Sequence, residues 1–312
     1  MNSAQWIVVI ATCGRQTLLG RTLEHLVKSG VSEAGAVLVI VENGGSTAAR
    51  PLAADYRLHC KIDYISLKKT GKTYALNAVL NEYPSAFIWF VDDDIRVTEE
   101  AVRAYREAFL AAAIGREFYG GPLGIDYERP PEPWLIDYLP RSATGWQKRA
   151  GEQAASTFFL GANWAAWAPD LLKCGGFDET LGPGQTGVGD EEDVQRRLIT
   201  AGLNPVYLEN AMVYHWVPHD RCSPQWVLRR AFNMGRLEGR RDDCVGPFFF
   251  GRPRWMYREA AARIWRWLAT RLARNPARRF QAAYELAFFL GWMLEAKQRD
   301  RSKSNDAAVF KS

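Results

Sequence analysis

Four short stretches of this chain, residues 6–11, 37–41, 62–66 and 86–91, are rich in β-branched and aromatic residues. The first, second and fourth are apolar throughout, as expected of strands buried on both faces rather than strands with one wet side. Between the first two, Leu19, Leu23 and Leu26 fall at helical spacing and Gly30 closes the run; a further helical stretch covers 73–80. Strand and helix in alternation constrain the chain to βαβ units around a mostly parallel sheet. The same three strands run into Thr12-Cys13-Gly14-Arg15, Glu42-Asn43-Gly44-Gly45-Ser46 and Asp92-Asp93-Asp94. Open α/β sheets bind ligands at the carboxyl ends of their strands, so the site is expected where these segments meet.

Composition narrows the class. Of 312 residues, 47% are hydrophobic and 24% charged, enough apolar surface for a substantial core. The opening residues lack a basic n-region and the apolar run at 7–11 is far too short for a signal peptide or a membrane span, so a cytoplasmic protein is expected. The five cysteines form no C-x-x-C pair and are expected to be reduced and mostly buried. Net charge is only +5, yet positions 252–279 hold nine arginines against one acid, Glu259, which points to an anionic partner for the C-terminal part. The expected organisation is a catalytic domain over 1–240, a basic and aromatic helical extension over 241–298, and a disordered tail over 299–312.

Two acidic clusters carry the chemistry. Three consecutive acids raise one another's pKa and oppose folding unless a cation relieves them. Mg²⁺ or Mn²⁺ would do so, taking one or two carboxylates and filling its remaining positions with phosphate oxygens and water. The plainer alternative is a solvated acidic turn capping a helix near Thr98. The second cluster, Asp190-Glu191-Glu192-Asp193, follows a glycine-rich loop over 182–189 and precedes Val194, Leu198 and Ile199 at helical spacing. It is either a charged helix start favoured by the macrodipole or the source of a general base. His215, in the strand-like stretch 211–215, is either a core histidine or a third metal ligand. Gly71-Lys72 lacks the remainder of a P-loop, and no G-x-G-x-x-G follows the first strand, which weighs against nicotinamide chemistry.

Taken in order, these segments resemble the family 2 glycosyltransferases, inverting enzymes with the GT-A fold, over roughly residues 6–239. The matching segments are the first strand with Thr12 and Arg15, the second strand with Glu42, Gly71-Lys72 through Asn77, Asp92-x-Asp94, Phe159-Leu160-Gly161-Ala162-Asn163, and Gly175-Gly176-Phe177-Asp178-Glu179. The resemblance implies a Rossmann-like α/β catalytic domain that takes a nucleotide-diphosphate sugar as donor. It places Thr12, Arg15, Glu42, Lys72 and Asp92 around the nucleotide, and Asp92, Asp94 and His215 around Mn²⁺ or Mg²⁺. Glu191 then stands at the general base, although Glu42 replaces the family's usual Asp and Asp190-Glu191 reverses its common order, leaving Asp190 and Glu192 as alternatives. The implied reaction is a single in-line displacement onto an acceptor hydroxyl, in bacterial cell-surface polysaccharide or glycolipid synthesis.

In the C-terminal part, Tyr257, Ala261, Ile264, Trp265, Leu268 and Leu272 form one apolar stripe, and a second helix is expected over 282–296. The helices either pack on the catalytic domain or lie on an anionic membrane at the inner face of the cell, beside a carbohydrate or lipid-linked acceptor. No nucleic-acid partner is expected. Two rival classes are a sugar-nucleotide nucleotidyltransferase and an inactive carbohydrate- or nucleic-acid-binding module. Thr12-Cys13-Gly14-Arg15 is too short for the signature of the first, and retention of both acid clusters speaks against the second.

Overall fold

The computed structural model describes residues 5–148, 158–184, 189–242, 244 and 246–296. The expected tail and part of the glycine-rich loop, 185–188, lie outside these residues. The chain opens with β1 (Trp6–Thr12), α1 (Gln16–Lys28), β2 (Val37–Glu42), α2 (Arg50–Tyr56), β3 (Ile62–Ser66), α3 (Lys72–Glu82) and β4 (Phe87–Asp92). Four strands thus form where the apolar runs predict them. β1 pairs in parallel with both β2 and β4, and β2 with β3. Alternate residues serve opposite faces: Val8 and Ile10 pack under α1 with Leu19 and Leu23, whereas Ile7 and Val9 pack under α3 with Leu76 and Val79. Each face removes branched side chains from water at roughly 25 cal/mol per Å², which is why these strands carry no polar alternation.

A short β5 (Ile95–Val97) leads to α4 (Glu99–Ala111), capped by Thr98, whose hydroxyl accepts from Ala101 N at 3.2 Å. The acidic run therefore does not cap this helix; Asp93 and Asp94 are buried instead. Beyond it come β6 (Glu117–Gly120), β7 (Leu123–Tyr127), α5 (Arg141–Thr144), β8 (Trp164–Trp167), α6 (Ala168–Lys173), α7 (Asp190–Thr200), β9 (Asn204–Tyr207) and β10 (Val213–Val217). The sequence reads as loop-rich and polar from Pro122 to about Phe158, yet β7 forms there, and β8 forms just beyond it. They are only 5 and 4 residues long, with β7 starting just after Gly120-Gly121-Pro122, so their own pattern is too brief to register. The main sheet runs β3-β2-β1-β4-β8-β6-β9 and turns antiparallel at β8; a second sheet runs β5-β10-β7.

Contacts divide the chain into two units: residues up to Pro130 with Leu139–His219, and Pro131–Tyr138 with Asp220 onward. The second unit contains α8 (Pro224–Arg241), a hairpin of β11 (Phe248–Phe249) and β12 (Arg252–Pro253), α9 (Arg254–Thr270) and α10 (Pro276–Glu295). α10 begins six residues before the expected 282, because Asn275 Oδ1 accepts from the Ala277 and Arg278 amides and Pro276 suits a first helical turn. α8 and α10 pack backbone to backbone. A Cβ at Gly291 would stand 2.0 Å from Phe232 O, and one at Gly235 would stand 1.9 Å from Phe288 O. Among the described residues, no helix is long and apolar enough to cross a membrane.

Candidate active site

Strand register brings the polar segments level at one sheet edge: Thr12 pairs with Glu42, Glu42 with Ser66, and Ala11 with Asp92. Each acid of the run then meets a different partner. Asp93, fully buried, accepts from Thr12 Oγ1 at 2.6 Å and from Arg15 Nε at 3.1 Å, with Arg15 Nη2 closing a bidentate pair. Asp94 accepts from Arg15 Nη1 at 2.7 Å, and its other oxygen lies 3.2 Å from His215 Nε2. Asp92 pairs with Lys72 Nζ. Burial pushes the Asp93 carboxyl up to about 6, with Arg15 pulling the other way. Burial also works against the charges of Arg15 and Lys72, but the facing carboxylates outweigh it and raise both pKa values.

One ligand atom each from Asp92, Asp94 and His215 lie within 4.8 Å of one another. His215 is buried, and its Nδ1 is 2.7 Å from Ser142 O. A carbonyl only accepts, so Nδ1 carries a proton and Nε2 is the nitrogen able to ligate, the orientation metal-binding histidines commonly have. Two carboxylates and one imidazole form a donor set that Mn²⁺ or Mg²⁺ accepts, and the residues fit such an ion. Burial lowers the His215 pKa, but the hydrogen bond and charge of Asp94 outweigh it and the balance is upward.

The second acidic cluster starts α7 and is sorted by the helix. Glu192 pairs outward with Arg196 at 2.6 Å and Asp193 with Arg197 at 2.7 Å, one turn along in each case. Asp190 is buried against Gly182. Glu191 turns toward Gly161, where a Cβ would stand 3.4 Å from its carboxyl carbon and 3.5 Å from Lys72 Nζ. Lys72, which holds Asp92, therefore also stands beside Glu191. Desolvation, and then the adjoining Asp190, push Glu191 up to about 8.

Of the remaining positions singled out from sequence, Thr12 is engaged with Asp93, and Glu42 is fully buried with its Oε2 accepting from Tyr64 OH at 2.6 Å and Ala49 N at 3.0 Å. Three amides that sequence reasoning gave no role hold the site together. Asn43 donates to Thr12 O at 2.9 Å and accepts from Gly71 N at 3.0 Å, joining the ends of β1, β2 and α3. Gln195 bonds both the N and O of Phe159, at 2.8 and 3.0 Å, fixing α7 to the segment that carries Gly161. Asn163, the last residue of the Phe159–Asn163 segment quoted above, is a buried hub. It donates to Pro122 O and Ala211 O at 2.8 and 2.7 Å and accepts from Tyr105 OH at 2.8 Å and Trp89 Nε1 at 3.4 Å. Their signal in sequence is slight, since a buried amide is marked only by the distant backbone it satisfies. Of the five cysteines only Cys60 and Cys222 are buried; Cys174 and Cys244 are half-buried and Cys13 is exposed at the turn after β1, so the expectation of mostly buried thiols does not hold.

Residues 4–232 match the sequence profile described as glycosyltransferase-like family 2. The chain is 27% identical over 234 residues to the succinoglycan biosynthesis protein ExoM of Rhizobium meliloti (strain 1021), covering 72% of each chain. Its structure is similar to that of mannosyltransferase PcManGT from Pyrobaculum calidifontis, solved with GDP-Man and Mn²⁺, with a TM-score of 0.54 and 17% identity over 99% of this chain and 88% of that one. It is also similar to residues 1–349 of TarS from S. aureus, solved with UDP-GlcNAc, with a TM-score of 0.51 and 13% identity over 97% and 92%.

Proposed function

We propose, from the premise that this chain belongs to glycosyltransferase-like family 2 and is a glycosyltransferase with the GT-A fold, that it is a metal-dependent inverting enzyme. It would move a sugar from a nucleotide diphosphate to an acceptor hydroxyl in cell-surface polysaccharide synthesis. The observation that carries the reading is the grouping of Asp92, Asp94 and His215 within ligand distance at the strand ends, with Glu191 across Lys72 from them. The Pyrobaculum mannosyltransferase, solved in complex with GDP-Man and Mn²⁺, supports a divalent ion, and the succinoglycan biosynthesis relative supports a polysaccharide acceptor; the place proposed for the transfer is the inner face of the membrane.

In this reading Thr12, Arg15, Glu42 and Lys72 would border the donor's nucleotide, and Asp92 would serve both nucleotide and metal. A divalent ion on Asp92, Asp94 and His215 would supply positive charge to the departing diphosphate. Asp93 takes no part in ligation; it fixes Arg15 and the end of β1. Ser142 O fixes the ring of His215, and Gln195 and Gly161 fix Glu191. Glu191, in its ionised form, takes the acceptor hydroxyl proton as that oxygen attacks the anomeric carbon from the face opposite the leaving group, so configuration inverts. No carboxylate is needed as a covalent nucleophile.

Calorimetry against a panel of UDP-, GDP- and dTDP-sugars with Mn²⁺, Mg²⁺ or chelator tests this reading. One donor should bind more tightly with metal, and the gain should vanish in a folded Asp94→Asn variant. Equal metal-dependent affinity in that variant would remove the metal site.

A further inference from the structure

In the second unit, α9 is held to α10 by one narrow face. Met256 and Ala260 are buried with Phe289, and Arg263 stands over the Phe289 ring at 4.8 Å. The apolar stripe read from the sequence points elsewhere: Ile264, Trp265 and Leu268 are exposed by 41%, 74% and 44%, and Leu272, just past the helix end, by 93%. The β11–β12 turn adds Phe249 and Phe250, exposed by 51% and 82%. Phe250 has φ 45°, the one positive value for a non-glycine among the described residues. A bulky side chain in left-handed backbone is costly, and such a conformation is held only where neighbouring contacts fix it.

The turn and the helix form one ridge. The Phe249 ring lies 4.5 Å from Phe250 and 5.8 Å from Tyr257, whose hydroxyl donates to Phe249 O at 2.9 Å. Tyr257 is the first residue of the stripe, so the apolar surface continues from the aromatic turn for about 22 Å along α9, at 1.5 Å per residue to Leu272. Exposed Arg254, Arg258, Arg271 and Arg274 accompany it. The nearby acids are taken up within the unit, Glu259 by Arg263 at 2.9 Å and Glu285 by Arg266 at 2.9 Å. The outer face is therefore apolar along its centre and positive along its margins.

We infer that the Phe249–Phe250 turn and the outer face of α9 dock together on a bilayer containing anionic lipid, with α9 lying in the plane of the headgroups. The aromatic turn and Trp265 enter the acyl boundary, and the arginines meet lipid phosphates. Charge complementarity selects this occupant, because an apolar protein partner would leave the flanking arginines unanswered. The inference deepens the reading of an acceptor presented at the membrane, and its test is run without donor or acceptor, so failure here leaves the transferase reading standing.

The test is co-sedimentation of the full chain with vesicles of phosphatidylcholine alone or mixed with phosphatidylglycerol, at low and high salt. The parent should bind only the mixed vesicles and release in salt. Phe249→Ser with Phe250→Gly, in which glycine suits the turn's backbone, should weaken binding at least about tenfold. Arg258→Gln with Arg271→Gln should weaken it by roughly fivefold per arginine and flatten the salt dependence. Circular dichroism and donor affinity should match the parent in both variants. A parent that ignores anionic vesicles, or an aromatic variant that sediments like the parent, would overturn the inference. So would sedimentation velocity showing a dimer that the same substitutions dissociate, since the ridge would then belong to a second copy of this chain.

Discussion

Replacing Glu191 by Gln should abolish transfer and stabilise the protein in the same step. The side chains are nearly isosteric, so the contacts at Gly161 survive and only ionisation is lost. Removing a positioned base costs about 10²–10⁴-fold, or roughly 3–5 kcal/mol of transition-state stabilisation at 1.36 kcal/mol per decade. Burial and Asp190 hold the folded-state pKa of Glu191 at about 8, above the ordinary 4.5. A pKa raised on folding contributes stability that is complete below 4.5 and lost as pH climbs through 8. The parent therefore spends that window losing stability on the order of a few kcal/mol that the Gln variant never gives up. Parent turnover at saturating donor should rise with pH up to about 8 and level off, because only the ionised carboxylate accepts a proton. The assays are nucleotide-diphosphate release and thermal unfolding from pH 5 to 9. The variant should be inactive throughout, should bind donor like the parent, and should melt progressively higher than the parent as pH rises. Near-normal turnover in Glu191→Gln, with loss in Asp190→Asn or Glu192→Gln instead, would refute the assignment. A variant that melts lower at every pH would make Glu191 a structural anchor.

Three further outcomes are expected. Asn163→Leu strands the Pro122 and Ala211 carbonyls and the Tyr105 and Trp89 donors; at about 1–3 kcal/mol per orphaned group it should cost at least about 4 kcal/mol by urea unfolding, and a loss below about 1.5 would show that water replaces the amide. Gln195→Leu cuts both bonds to Phe159 and should lower kcat on the order of 10²-fold with donor KM unchanged; unchanged kcat with only a lower melting temperature would leave Gln195 a purely structural residue. Gly291→Ala drives a methyl into Phe232 O and should lower stability by about 1–3 kcal/mol or more, whereas an unchanged melting temperature would mean that α8 and α10 part at no cost.

Much of the site was legible because it lies at the ends of strands buried on both faces. An unbroken apolar run such as Phe87-Ile88-Trp89-Phe90-Val91 can stop only where the sheet meets water or ligand, so the residue after it is marked by position alone. The helix opening at Asp190 was readable for a similar local reason, since helical spacing spans only a few residues. What the sequence left unsettled depends on contacts between distant positions. Ser142 comes within bonding distance of His215 across 73 residues, and Asp93 meets Arg15 across 78. The direction of the α9 stripe belongs to the same class: periodicity fixes that Ile264, Trp265 and Leu268 share a face, but not whether that face meets protein.

The division of labour among the three aspartates follows from the same long-range contacts. A run of equivalent carboxylates would repel, and the two outer ones could be relieved by a single ion only if the middle one were neutralised separately. Arg15 does this from the turn after β1, with two of its nitrogens on Asp93 and the third on Asp94, while Thr12 adds a hydrogen bond. Lys72 answers Asp92 from the start of α3. The protein's own cations thus answer the acids and fix their placement at the strand ends. Preformed geometry is what phosphate-leaving chemistry needs, because the charge on a departing diphosphate is best met by groups that need not reorganise. Substituting Arg15 by an uncharged residue would leave Asp93 buried and unpaired, so its role in the fold and any role at the nucleotide are separable only by changing Asp93 at the same time.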